Sequence, residues 1–232
     1  MKLSIVVPCF NEEATLPAVL EKVLAAPTGD YAKEVIVVDD GSADRSASLA
    51  EAFAATHPET KVLRQDRNRG KGAACRAGFA AATGDVVLVQ DADLEYDPAE
   101  YPALLAPFAD PAVRVVYGSR IKGSRNFSYS HYYWGGRLVT FLTNLIYGSR
   151  LSDEPTGYKI FRRDLLDELK LESDGFEFCP EITAKVLRRK IAIHEVPIEY
   201  RPRSFAEGKK IRWHDGIRAL QTLLKYRWKR DV

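Results

Sequence analysis

Three short clusters of charged residues stand where apolar runs of the chain end. Asp91 and Asp93 flank a single alanine directly after the valine-rich run 85–90. Two carboxylates leaving one sharp turn are a donor set that hard cations such as Mg²⁺ or Mn²⁺ accept, with positions left for phosphate oxygens. Glu95, two residues on, is a candidate third metal contact. The same triplet can be a plain solvated turn, so its place at a strand end is what gives it weight. Asp39 and Asp40 close a second apolar run. An acid there takes ribose hydroxyls or a base N–H of a nucleotide, or else caps the helix ahead. Asp39 is assigned to the nucleotide, and Asp40 stays open between the two roles. Residues 68–72 (NRGKG) put glycines and Lys71 at a helix start, where free N–H groups and positive charge suit an anion. The spacing is not that of a Walker loop. The first βα turn, PCFNEE, has no GxGxxG, which disfavours dehydrogenase-type dinucleotide binding.

Regular elements must hold these clusters together. Residues 3–7 and 34–38 are Ile/Val-rich runs of the kind buried on both faces of a sheet, 61–63 is a weaker one, and 85–90 a fourth. Helical spacing occupies 12–26, 44–56 and 71–83, with Gly84 as a stop, and Pro98 opens another helix. Strands alternating with helices mean right-handed crossovers and a mostly parallel sheet, with ligands at the carboxyl ends of strands. The expected fold is therefore α/β. After about residue 117 the pattern loosens into basic, aromatic segments, and 186–196 reads as a helix end running into one more strand.

At 232 residues the chain suits one α/β domain, read as 1–232 with a ligand-binding front half (1–116) and a different rear half (117–232). Composition is ordinary, with 46% hydrophobic and 28% charged residues, which excludes disorder. The net charge of +2 conceals an asymmetry. Residues 1–116 carry 11 Lys+Arg against 18 Asp+Glu, whereas 117–232 carry 23 against 14. Cys9, Cys75 and Cys179 are odd in number and widely spaced, so a reducing compartment is expected rather than a disulfide framework or zinc site. No apolar stretch is long enough to span a bilayer, and the short run 3–7 is stopped by Pro8, so the expected location is cytoplasmic.

Four ordered motifs carry a resemblance: SIVVPCFNEEATLPAVL, EVIVVDDGSADRS, NRGKGAACRAGFAAATGDVVLVQDADLEYDP and DEPTGYKIFRRD. They resemble glycosyltransferase family 2, and within it the dolichol- or polyprenyl-phosphate mannose and glucose synthases. The likeness runs from Lys2 to about Tyr226. It implies a Rossmann-like GT-A fold, a nucleoside-diphosphate sugar donor such as GDP-mannose or UDP-glucose, and one Mg²⁺ or Mn²⁺. Carried over by position, Pro8, Phe10, Glu12 and Asp39 hold base and ribose, and Asp91 and Asp93 the metal and diphosphate. Arg120 of the GSR triplet with Ser119, together with Arg137 and Arg203, meets the acceptor phosphate. Two departures stand out: Glu95 replaces a glutamine of the mannose synthases, and AEGKK replaces a GESK-type run, in which Lys209 is the expected contact to the acceptor phosphate.

The acceptor decides the chemistry. A sugar hydroxyl must lose a proton as it attacks, so it wants a carboxylate base, and Asp153 of DEPTG is the candidate. A lipid monophosphate has a second pKa of about 6 and is already a nucleophilic dianion at neutral pH. It needs arginine forks instead, and the basic rear half supplies them. Residues 132–147 form a wide apolar helical stripe, and 209–230 puts Trp213, Ile217, Leu220, Leu224 and Trp228 on one face among eight basic residues. Aromatics and bases on an amphipathic helix read as an interfacial segment. A core helix or a dimer interface is the other use of such a face. The expected partners are thus an NDP-sugar, a polyprenyl or dolichyl phosphate and the cytoplasmic membrane face, with no nucleic acid. The rival readings are a family member acting on a glycan or small-molecule hydroxyl, and a non-catalytic membrane adaptor.

Overall fold

The computed structural model describes residues 1–123, 130–203 and 213–229. Its first half alternates as the pattern requires: β1 (Lys2–Cys9), α1 (Leu16–Ala25), β2 (Ala32–Asp39), α2 (Ser46–Thr56), β3 (Thr60–Arg64), α3 (Lys71–Ala81) and β4 (Val86–Val89). Helix α1 begins four residues later than its apolar spacing suggests. The amides of Glu12 and Glu13 donate instead to Ser46 Oγ at 2.8 Å and Asp44 Oδ2 at 3.1 Å, which holds 12–15 as a turn.

The second half is also regular: α4 (Tyr101–Leu105), β5 (Val115–Ser119), α5 (Arg120–Gly123), α6 (Ser130–Tyr147), β6 (Lys159–Arg162), α7 (Arg163–Leu169), α8 (Phe178–Arg188), β7 (Ile193–Pro197) and α9 (Trp213–Trp228). One seven-stranded sheet runs β3-β2-β1-β4-β6-β5-β7. Only β6 is antiparallel to its neighbours, β4 and β5. That reversal matters for function. Because β6 runs backwards, the loop that precedes it (153–157) lands on the edge where β1, β2, β4, β5 and β7 all end.

Alternation along each strand divides the core. Ile5 and Val7 pack with Leu16, Val19 and Leu20 of α1 on one face, while Val6 packs with Ala74 and Cys75 of α3 on the other. Both faces are covered, so the central strands read as continuous apolar runs. A third cluster joins α6, α8 and α9 through Val139, Ala184, Ala219, Leu223 and Tyr226. Beside the sheet, the buried Glu34 carboxylate accepts from Lys61 Nζ at 2.8 Å, Ser4 Oγ at 2.5 Å and the Thr83 amide at 2.9 Å. It ties β1, β2, β3 and the end of α3 together.

Candidate active site

A cleft of about 1510 Å³ opens along the carboxyl edge of the sheet. Its walls include Pro8, Phe10, Glu12, Asp40, Lys71, Asp91, Asp93, Glu95, Arg120, Arg137, Asp153 and Arg203. Thus most of the residues singled out by sequence meet in one place.

Asp91 leaves the end of β4 and pairs with Lys71 Nζ at 2.5 Å. Burial alone would lower the lysine ammonium, but Asp91 outweighs it and holds the group charged well above the ordinary lysine range. Asp91 Oδ2 lies only 2.5 Å from where a Cβ on Gly157 would sit, so the DEPTG glycine is what lets the loop pass this close. Gly70, at φ +103°, likewise has Asp174 O 2.5 Å from its would-be Cβ. The NRGKG glycines therefore serve the approach of the 173–175 segment, and it is Lys71 that faces the cleft.

Asp93 Oδ2 accepts from Arg203 Nη2 at 2.8 Å. The same guanidinium reaches Glu12 at 3.0 and 3.3 Å. Arg203, expected beside the acceptor arginines, lies instead on Glu12 and Asp93. Glu95 does not complete a metal triad: it accepts from Tyr200 Oη at 3.0 Å and the Arg203 amide at 2.7 Å. Among the described residues no group of three His, Cys, Asp or Glu side chains is gathered as a metal cluster. The Asp91–Asp93 pair nevertheless suits a divalent cation. Asp91 Oδ2 accepts no hydrogen bond from a described residue, and Asp93 is pushed up to about 7 by burial and by the negative charges of Asp91 and Glu95, with Arg203 opposing. Each carboxylate already faces one cation, Lys71 at Asp91 and Arg203 at Asp93, and both line the cleft, where a divalent cation that completes its shell with phosphate oxygens and water would share the site with them.

The two acids after β2 part company. Asp40 accepts the amides of Arg69 and Gly70, both at 2.8 Å, and so pins the 68–70 loop. Burial raises its pKa. Asp39 accepts from the Ser42 amide at 3.3 Å, while its buried Oδ1 has no hydrogen-bond partner. An orphaned buried acceptor is costly; Asp39 is 2% exposed and lies behind the cleft wall, which Asp40 and not Asp39 lines.

On the far wall, Asp153 forms a bidentate pair with Arg120, Nε to Oδ2 at 2.8 Å and Nη2 to Oδ1 at 2.7 Å, and accepts the Arg120 amide at 2.9 Å. Burial raises the carboxyl, but the Arg120 charge and its hydrogen bonds prevail and keep it below the usual range. The guanidinium also lies 5.1 Å over the Tyr200 ring. Arg137 is exposed and donates to Ser152 O at 3.2 Å. Ser119 is fully buried, its hydroxyl 2.7 Å from Ser152 Oγ, so the serine on the cleft wall is Ser152. Lys209 lies outside the described residues.

Glu195 of β7 escaped the sequence reading. It accepts from the Ser152 amide and hydroxyl at 2.9 Å and from the Asp153 amide at 3.1 Å, and so sets the height of the DEPTG loop. No local pattern links two residues 42 apart. Tyr96 was missed for the same reason, its hydroxyl accepting the Gly157 amide at 2.8 Å.

A mixed sheet of this order, with paired aspartates at the end of β4, is the GT-A arrangement. The chain belongs to glycosyl transferase family 2, whose model matches residues 4–170. It is 30% identical over 225 residues to the low-salt glycan biosynthesis hexosyltransferase Agl6 of Haloferax volcanii, covering 96% of this chain and 53% of that protein. It is 32% identical over 213 residues to undecaprenyl-phosphate 4-deoxy-4-formamido-L-arabinose transferase of an Enterobacter species, covering 90% and 62%. The chain thus spans between half and two thirds of the length of these relatives. Glucosyl-3-phosphoglycerate synthase from Mycobacterium tuberculosis, solved with Mn²⁺, UDP and phosphoglyceric acid, superposes with a TM-score of 0.76 at 23% identity, over 98% of this chain and 78% of that one. At that identity the likeness establishes the fold.

Proposed function

We propose that the chain transfers a hexose from a nucleoside-diphosphate sugar to the phosphate of a polyprenyl-type lipid at a membrane surface. One observation carries this reading. Apart from Met1, every exposed large apolar side chain among the described residues lies on α6 (Trp134, Leu138, Phe141, Leu145) or α9 (Ile217, Leu224, Trp228). Leu138 and Ile217 belong both to that surface and to the cleft wall. A charged active site that opens onto an apolar surface suits a substrate with an anionic head and a hydrocarbon tail. No described helix is long and apolar enough to cross a membrane. The name of the Enterobacter relative, an undecaprenyl-phosphate transferase, supports the same acceptor class.

In this reading Asp39 receives the base or ribose of the donor, and Asp91 and Asp93 hold a divalent cation, Mg²⁺ or Mn²⁺. When bound, that cation neutralises charge on the departing diphosphate. Lys71, held charged beside Asp91, adds to the same stabilisation. Arg137 and the unpaired N–H groups of Arg120 orient the acceptor phosphate. A phosphate oxygen bonds to the anomeric carbon, the bond from that carbon to the diphosphate breaks, and both its electrons leave with the nucleotide. A single in-line displacement inverts the anomeric centre. No base is required, because the monoester is mostly a dianion at neutral pH. Asp153, with both oxygens engaged by Arg120, is a positioning residue.

The test is a two-phase assay with purified protein, Mn²⁺, polyprenyl phosphate and labelled UDP-glucose or GDP-mannose. Label in the organic phase supports the reading and names the donor. Label confined to water-soluble product, or nucleotide released without lipid label, overturns it.

A further inference from the structure

Where α6, α8 and α9 end, a second hollow of about 410 Å³ is lined by Tyr147, Leu187, Arg188, Lys190 and Arg227, together with Ile146 and Gly148. No acid lines it. Arg188 is committed to structure, donating to the carbonyls of Tyr226 at 2.8 Å and Lys229 at 2.5 Å. Such a cation at a helix C-terminus needs no other explanation. Lys190 and Arg227 are different. Both are exposed, and neither side chain has a hydrogen bond or ion pair with a described residue. On the opposite flank of α9 the bases do find acids, Lys225 and Lys229 pairing with Glu172 at 3.6 and 2.6 Å.

The position of the hollow completes the picture. Ile146 and Arg227, in its wall, are chain neighbours of Leu145 and Trp228, which are 69% and 71% exposed at the ends of the two apolar stripes. A cationic hollow with no acid among its described lining residues, at the margin of an apolar face, is the arrangement that takes an anionic headgroup while the face meets the acyl chains.

We propose that this hollow binds the phosphodiester headgroup of an anionic membrane lipid, through Lys190 and Arg227 with Arg188 behind them. The site rests on the membrane-facing reading of α6 and α9. It lies apart from the cleft, so it would anchor and orient the protein without being a substrate site.

The experiment compares Lys190→Gln/Arg227→Gln with Arg218→Gln/Lys225→Gln, a pair on the other flank of α9 that removes the same charge. Binding is measured to vesicles of phosphatidylcholine with and without phosphatidylglycerol, alongside transfer to a short-chain polyprenyl phosphate in detergent. The site predicts that the first pair loses affinity for phosphatidylglycerol vesicles at least about tenfold more than the second. Binding to phosphatidylcholine and transfer in detergent should match the wild type in both. Equal losses in the two pairs would assign the attraction to a diffuse field and overturn the site. A parallel loss on phosphatidylcholine would also overturn it, because the apolar face would then be what had been damaged. If the wild type makes no lipid-linked product, the functional reading fails, and the vesicle comparison still decides the site.

Discussion

Arg203 lies 2.8 Å from Asp93 Oδ2 and 3.0 Å from Glu12 Oε2, so one guanidinium faces two carboxylates on the cleft wall. The residues are 110 and 191 positions apart, and only the closed edge of the sheet unites them. A divalent cation binding at Asp93 must share or displace this arginine. Arg203→Ala should therefore bind Mn²⁺ several-fold more tightly in the absence of donor, as read by electron paramagnetic resonance, while turnover falls. Weaker Mn²⁺ binding in the variant would mean that Arg203 supports the carboxylates and does not compete for them.

The Arg120–Asp153 pair makes a different prediction. Removing one partner of a buried pair leaves the other charge uncompensated, which costs about 3 kcal/mol or more. Asp153→Asn should lower stability by that order in chemical denaturation. Activity of the wild type should show no limb from Asp153 near neutrality, because Arg120 holds its pKa below the usual carboxylate range. A limb at about pH 6 should appear instead, set by the second ionisation of the acceptor phosphate. A limb that persists unchanged with an acceptor that lacks an ionisable phosphate belongs to a protein group, either Asp93 with its raised pKa or a base.

Glu34 supplies a pH dependence of stability far from the active site. Burial raises its pKa, but Lys61, Ser4, Thr83 and Lys2 together hold it well below the ordinary glutamate value. A folded-state pKa below the unfolded one gives stability that is present above the unfolded value of about 4.3 and is lost as pH falls toward the folded one. Glu34→Gln should cost about 2 kcal/mol at pH 7. The gap to wild type should close as pH drops below about 4. A gap that stays constant across that window would contradict the assignment.

The apolar face of α6 can be tested on its own. Phe141→Asp/Leu145→Asp changes two side chains that are 61% and 69% exposed and bury little in the fold. Thermal stability should hardly move, whereas co-sedimentation with vesicles and transfer to long-chain polyprenyl phosphate should fall. Transfer to a short-chain acceptor in detergent should survive. Loss of both activities in parallel would place these residues in the fold instead of at a surface.

Much of this was legible in the sequence, because the front half writes its strands as continuous apolar runs and its acids at their ends. Asp91 and Asp93 needed only the position of β4 (Val86–Val89) to be found. The rear half was harder. Strand β6 has four residues, KIFR, with two charges, and β5 is a five-residue run ending in GS. Neither carries a period long enough to read, and an antiparallel strand is not announced by βα alternation. The exposed stripes of α6 and α9 were readable as helical periodicity. Their direction, toward solvent and away from a core, was not, since that depends on Val139, Ala219, Leu223 and Tyr226 taking the opposite face. Tertiary acids such as Glu195 left no local trace at all.

The acceptor is the central question, and one comparison addresses it directly. With the donor that gives product, initial rates are measured on a polyprenyl phosphate, on the same alcohol without its phosphate, and on 3-phosphoglycerate. An apolar mouth, arginines at the acceptor wall and an Asp153 with no oxygen to spare predict rapid transfer to the polyprenyl phosphate and little to either alternative. Equal or faster transfer to phosphoglycerate, or to the bare alcohol, would contradict the account.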